Sequence, residues 1–325
     1  MTWYAINPSA PVTLGNLTPV GQNSGLVGCR WPPNGHQLAA CLNLPNNCQI
    51  WGPFWCWQDF LYLPLPLPVY TTTEIQGEEI PQDLYRMTYS EQGWQVRPEH
   101  QGQDVEIIGG QYLIKASDFR TFWQKGKFEP YEQSSSYLVP LPWQTLTLSH
   151  NSRENYQVKD EGGLFAEMTT LLEPGWSIAV KIMGDHEPPT ESCLGAGGTP
   201  VVIKRLRRNW DWLGNTCENA TGAVLLTGAL WKQSSAKASV PYPDLPIKAP
   251  IKAYAADSPI PWQSLKKVRD RNQPQKQVSV LTPGEWLTPA GAVYLWEEDS
   301  PVSVSGPLAD DYHRDALGYG HLWLF

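Results

Sequence analysis

The sequence has no pair of cysteines at Cys-x-x-Cys spacing. Its six cysteines (Cys29, Cys41, Cys48, Cys56, Cys193 and Cys217) are scattered, which argues against a zinc ribbon and suits small core side chains in a reducing compartment. No apolar run approaches the roughly 18 residues that a membrane span requires. Residues 1–11 have neither the basic head nor the apolar core of a secretion signal. A cytoplasmic protein without a membrane partner is therefore expected, and the sequons at Asn16 and Asn219 carry no meaning there.

Catalytic motifs are missing too. There is no Gly-x-Ser-x-Gly elbow, no Gly-x-x-x-x-Gly-Lys-Ser/Thr loop and no His-Glu-x-x-His helix. The six histidines (His36, His100, His150, His186, His313 and His321) show no metal-ligand spacing, so neither a metal nor a cofactor is expected. His36 and His150, each near an arginine (Arg30 and Arg153), are the two candidates for acid–base work. Asp310-Asp311 is an acidic pair of the exposed kind that usually holds no cation. Heptads and 20–50-residue repeats are likewise absent.

What the chain does have is segregated charge. The net charge is −8 over 325 residues, which by itself speaks against a free nucleic-acid binder. Residues 74–106 hold eight acids against two arginines, and residues 297–315 hold six acids against one. Residues 248–276 hold seven bases against two acids. Blocks this separate suit one face for a polyanion and others for solvent or basic protein neighbours.

The densest cationic run follows a glycine turn. Residues 194–208 read LGAGGTPVVIKRLRR: Gly195, Gly197 and Gly198, then a β-branched triplet, then Lys204, Arg205, Arg207 and Arg208. Glycines admit positive φ and close backbone approach, Val and Ile favour a strand, and paired cations suit a phosphodiester chain. Read alone, the run also fits a hairpin turn with a solvated basic strand end. A second basic run holds Lys266, Lys267, Arg269 and Arg271.

Alternating apolar residues predict strands over 3–7, 143–148, 164–172, 176–183, 223–231, 251–255, 277–281, 292–296 and the C-terminus, with helices over 36–42 and from about Ser117. Pro64, Pro66 and Pro68 leave one edge without donors, which predicts an edge strand or strap over 61–69. The acidic stretch 74–106 reads as a solvent-facing insertion. The proline-rich segment 184–198 is the best linker, dividing the chain into 1–187 and 188–325. Most of the 16 tryptophans should be core; Trp31, beside Arg30 and ahead of Pro32-Pro33, is a candidate stacking platform.

Taken in order, the landmarks resemble the RAMP superfamily of CRISPR systems, specifically the handle-capping subunits of type III-B (Cmr) effector complexes. The matching stretches are Trp31-Pro32-Pro33 before a small-residue helix; Gly52-Pro53-Phe54, then Leu61-Tyr62-Leu63-Pro64-Leu65-Pro66; Gly163-Leu164-Phe165-Ala166-Glu167; the glycines at 195–198; Gly291-Ala292-Val293-Tyr294-Leu295; and Gly318-Tyr319-Gly320. The chain departs where the family's helix usually ends in arginine (here Ala40-Cys41-Leu42), and where Thr199-Pro200 intervene before Lys204.

The resemblance implies an α+β protein of two ferredoxin-like (RRM-like) domains with antiparallel sheets, glycine-rich loops and inserted hairpins. It implies a non-catalytic subunit that binds the 5′ repeat-derived handle of a CRISPR RNA and caps the backbone filament in antiviral defence. Its partners would be that RNA, target RNA through the complex, the large polymerase-like subunit and the adjacent RAMP backbone subunit. On this reading the glycine turns at 195–198 and at Gly318 and Gly320 admit the RNA backbone to main-chain N–H groups. Cations at 204–208 and 266–271 neutralise phosphates, while Arg30, Trp31, His36 and Arg153 read splayed bases. Two other readings stay open: a metal-independent repeat-processing endoribonuclease using His36 or His150, and a tryptophan-rich glycan-binding β-domain.

Overall fold

Eight antiparallel strands form the main sheet because long apolar segments of the first 205 residues alternate in and out with period two. The strand order is Leu138–Pro140, Tyr112–Lys115, Phe60–Pro64, Gln49–Trp57, Trp176–Met183, Thr2–Pro8, Thr199–Arg205 and Glu191–Leu194. The computed structural model describes residues 1–15, 25–75, 77, 79–128, 137–151, 153–154, 157–158, 164–231, 241–243, 251–262, 265–269, 277–281, 284–297, 302–309 and 312–325. Among these the protein is mostly β, with helices α1 (Gly35–Cys41) and α2 (Ala116–Lys125) and several antiparallel sheets. No helix among the described residues is long and apolar enough to cross a membrane.

The two faces of the main sheet bury different partners. On one face Tyr4, Ile6, Ile178, Val180, Ile182, Val201 and Ile203 pack against Leu38 and Cys41 of α1 and against Leu42 just after it. On the other, Trp3, Phe54, Leu61, Leu63, Ile114 and Ala179 meet Phe119, Phe122 and Trp123 of α2 and Val224, Val293 and Trp323 of a second sheet. That second sheet is five-stranded, in the order Ile251–Ala255, Val293–Trp296, Gly222–Leu225, His321–Leu324 and Gly306–Pro307. A one-residue irregularity opposite Ala179 and Lys181 shifts the alternation of Gln49–Trp57, so that Ile50 faces α1 while Phe54 faces the opposite core.

Several expectations are revised. The sheet runs on past residue 187: Thr199–Arg205 pairs with Thr2–Pro8, and the change of sheet falls between Arg205 and Gly222. Residues 61–64 are internal, since Leu61 and Tyr62 pair with Gln49–Trp57 and Tyr62–Pro64 with Tyr112–Lys115. The reason is position: Leu61, Tyr62 and Leu63 keep their donors, and the prolines start only where two-sided pairing stops. The acidic stretch is no plain surface insertion. Leu84 is fully buried, and Leu84–Arg86 pairs with Val69–Thr71 and Lys127–Phe128 in a four-stranded sheet. Asp83 anchors it: although burial works against the charge, the hydroxyls of Thr71, Thr72 and Thr73 donate to its carboxylate and hold it below its ordinary pKa. α2 begins after Lys115, with no side-chain cap.

Two titratable groups lie where the sheets meet. The Lys181 ammonium is 3% exposed, pairs with the Asp211 carboxylate and sits 4.3 Å from the centre of the Trp51 ring. His321 is fully buried and its Nε2–H donates to the Leu213 carbonyl at 3.0 Å. Burial, helped by Lys181, holds its pKa down to about 4. Asp211→Ala should leave the buried ammonium unpaired and cost about 3 kcal/mol in urea unfolding, and adding Lys181→Met should recover most of that. His321 stays neutral while folded and protonates once released, so stability is complete above pH 6.5 and falls toward pH 4. In His321→Asn this acid loss should shrink by about 3 kcal/mol, read from unfolding curves at the two pH values.

Candidate nucleic-acid interface

The first basic run lies on and beyond the last strand but one of the main sheet. Its strand shows Val201 and Ile203 to the core while Pro200, Val202 and Lys204 are exposed, as are Arg205, Arg207 and Arg208 beyond. No salt bridge among the described residues holds any of these four cations. The chain then crosses back over the sheet and sets the Arg208 guanidinium 4.2 Å from the centre of the Phe60 ring. The Lys115 ammonium lies 3.8 Å from the same ring. The glycine turn joins Glu191–Leu194 to Thr199–Arg205. Gly195 (φ +80°) is committed internally, since a Cβ there would stand 2.3 Å from the Thr13 carbonyl oxygen. Gly197 and Gly198 are exposed, with room around them.

The second basic run is a hairpin, Leu265–Arg269 with Gln277–Leu281, in which Lys266, Lys267 and Arg269 stand opposite Val280, Ser279 and Gln277. Arg271 lies outside the described residues, as do Asp310 and Asp311. A second ladder, Ile260–Trp262 with Glu285–Leu287, forms the base of this arm. Trp262 is 4% exposed and packs on the rings of His36 at 5.6 Å and Tyr319 at 6.0 Å. Arg314 clamps the base, donating to Glu285 at 2.7 Å and to the Leu230 carbonyl at 3.1 Å.

Helix α1 connects the two basic elements. Asn34 caps it reciprocally with Gln37. At its start, Gly35 lies so close to the Leu317 carbonyl that an added Cβ would stand 1.9 Å from the oxygen. His36 Nδ1 shares a 3.0 Å hydrogen bond with the Tyr319 hydroxyl. Burial and the nearby Arg314 keep the His36 pKa below its ordinary value. At its end, the Ser192 hydroxyl donates to the Cys41 carbonyl at 2.6 Å. One short helix thus abuts the arm's base at one end and the glycine-turn hairpin at the other.

The remaining sequence candidates are dispersed or internal. Gly318 and Gly320 are buried; their N–H groups donate to Asp315 and Gly228, and a Cβ on Gly318 would stand 2.7 Å from the Gly52 carbonyl oxygen. The close approach these glycines allow is made by the chain's own strand. Trp31 stacks on Trp55 at 5.7 Å and lies 6.1 Å from Trp143, and Arg30 is half-buried with its pKa lowered by burial. Arg153 is exposed beyond the far end of the hairpin formed by Trp143–Asn151 and Leu164–Leu172. At about 3.3 Å per residue that is roughly 25 Å from Trp143. His150, on this hairpin, stands 3.4 Å from Glu167 and stacks on Phe165. Among the described residues no group of three His, Cys, Asp or Glu side chains is placed to hold a metal ion. Sequence reasoning missed Phe60, Lys115 and Arg314; only the cluster of charge around an aromatic could have hinted at the first two.

The two kinds of glycine should separate in stability measurements. Gly35→Ala pushes a methyl into the Leu317 carbonyl and should cost about 2 kcal/mol or more despite alanine's better helix propensity. Gly197→Ala meets only an ordinary contact at 3.9 Å and should stay within about 1 kcal/mol of the parent chain, both read by chemical unfolding.

No protein-family model and no curated protein matches the chain. Among solved structures, one chain comes from the cryo-EM structure of the type III-B Cmr-beta complex bound to cognate target RNA and AMPPnP. It superposes with a TM-score of 0.45 at 11% identity, covering 90% of this chain and 86% of that one. A chain from the same complex bound to cognate target RNA gives a TM-score of 0.46 at 11% identity, covering 98% and 96%. A chain of the Csm3-Csm4 subcomplex in the type III-A CRISPR-Cas interference complex gives 0.36 at 10% identity, covering 100% and 99%. The chain's neighbours among solved structures are thus subunits of type III CRISPR complexes.

Proposed function

We propose that this chain is a non-catalytic subunit of a type III CRISPR ribonucleoprotein, binding the 5′ repeat-derived handle of the guide RNA and capping the backbone filament. The observation that supports the reading is that several sequence landmarks, far apart in the chain, meet at or just beside their ends. Gly318 lies against Gly52, the residue after Asn34 in Trp31-Pro32-Pro33-Asn34-Gly35 lies against Leu317, and Leu67 donates to the Gly291 carbonyl at 3.0 Å. The order Thr199–Arg205, Thr2–Pro8, Trp176–Met183, Gln49–Trp57, with α1 linking the N-terminal strand to Gln49–Trp57, supports a ferredoxin-like reading of the first domain, although a strand (Glu191–Leu194) stands where that fold has its second helix. The five-stranded sheet would be the core of the second domain.

In this reading Lys204, Arg205, Arg207 and Arg208 neutralise phosphates beside the open turn at Gly197 and Gly198, and the arm bearing Lys266, Lys267, Arg269 and Arg271 lies along the same RNA. His36 is neutral and tied to Tyr319, so it offers hydrogen bonds and no charge. Acidic faces meet protein neighbours, the large polymerase-like subunit and the adjacent backbone subunit among them, in the cytoplasm.

The test is binding of labelled guide RNA with and without its repeat-derived 5′ end. The handle-bearing RNA should bind more tightly. Changing Lys204, Arg205, Arg207 and Arg208 together to alanine should lower the salt slope by about 0.7 per lost phosphate contact. Equal affinity for both RNAs and an unchanged slope would sink the proposal, and cleavage of repeat RNA in EDTA would replace it with the processing-enzyme reading.

A further inference from the structure

Between α2, residues 211–217 and the C-terminal strand lies a cavity of about 380 Å³ that the interface above does not use. Its size falls among those of small-molecule sites, about 300–1,000 Å³. Aromatic side chains stand among its polar lining. Trp123 and Trp323 are 1% and 5% exposed, and half-buried Trp212 and Phe325 complete the lining. Trp123 lies 5.2 Å from Phe325 and Trp212 lies 6.1 Å from Trp323, each pair edge-to-face.

The charged side chains around this cavity have one sign. Arg86 and Arg120 line it and no carboxylate side chain does. The Arg86 guanidinium donates to the Trp123 carbonyl at 2.8 Å and lies 5.1 Å and 6.0 Å from the ring centres of Trp123 and Phe325. These contacts fix its plane, and no carboxylate among the described residues neutralises it. Burial, with the like charge of Arg97, holds its pKa below the ordinary value. The acid in this neighbourhood, Glu99, is spent on Arg97 at 2.6 Å. A half-buried cation without a counter-ion favours an incoming anion.

Indole and phenyl surfaces favour a flat ring, and two guanidinium groups favour oxyanions. A ligand with both features meets both demands in one cavity. The geometry points to a nucleotide site separate from the basic run, with the base against the half-buried rings of Trp212 and Phe325 and the phosphate on Arg86 and Arg120. The nucleotide comes either free or as the phosphorylated end of an RNA chain.

Calorimetric titration of the full chain with AMP, adenosine, inorganic phosphate and a 5′-phosphorylated tetranucleotide tests this. AMP or the tetranucleotide should bind at least about ten-fold more tightly than adenosine or phosphate alone. The tighter of the two identifies the source. Arg120→Glu, on the exposed face of α2, should fold normally and weaken that binding at least about ten-fold while leaving binding of handle RNA with a 5′-hydroxyl end unchanged; Arg86→Lys should weaken it similarly by losing the planar fork. The site is overturned if neither nucleotide ligand binds at millimolar concentration, if phosphate alone binds as well, or if Arg120→Glu leaves the affinity unchanged.

Discussion

Backbone lying directly on backbone joins the two ends of this chain. Gly35 stands against the Leu317 carbonyl and Gly318 against the Ile50 and Gly52 carbonyls, at separations where even a methyl group would collide. Such contacts are short-ranged and unforgiving, so they fix relative position more tightly than apolar side chains, which can repack. Helix α1, the start of Gln49–Trp57 and the 315–320 turn therefore behave as one block. The arm's base is fastened to that block through Trp262 and Tyr319, and the glycine-turn hairpin through Ser192.

The distribution of charge follows from which cations this block leaves outside. Lys181 and Arg314 are buried and paired with Asp211 and Glu285, where they serve the fold; an internal ion pair mainly penalises arrangements that break it. Lys204, Arg205, Arg207 and Arg208 are exposed. Acids that composition alone assigns to the surface are partly structural, as Asp83 is under three threonine hydroxyls. An anionic chain thus keeps a cationic run whose four cations are held in no salt bridge among the described residues.

The strands were largely legible because period-two alternation survives wherever one face is buried: Leu164–Leu172 and Trp176–Met183 lie where their patterns put them, and α1 where Asn34 and the Leu38–Leu42 spacing put it. What was not legible depended on long-range partners. Nothing local in Pro64, Pro66 and Pro68 reveals that Tyr112–Lys115 pairs with the residues just before them. The glycines of Gly318-Tyr319-Gly320 look the same in sequence whether their open side faces solvent or another strand; here it faces Gly52. Phe60 meets the basic run only because the chain beyond Arg205 brings Arg208 to its ring. Trp31, a candidate platform by its neighbours, is taken up by Trp55.

Phe60 has one more consequence. Flexible ammonium and guanidinium arms ordinarily sample many rotamers, and an arriving anion must freeze them at a cost of up to about 2 kcal/mol each. Held over a single ring, Lys115 and Arg208 have surrendered part of that freedom already. The pair is a rigid cationic corner in which the entropy of ordering was settled when the protein folded, so that ligands meet a fixed shape rather than a moving brush.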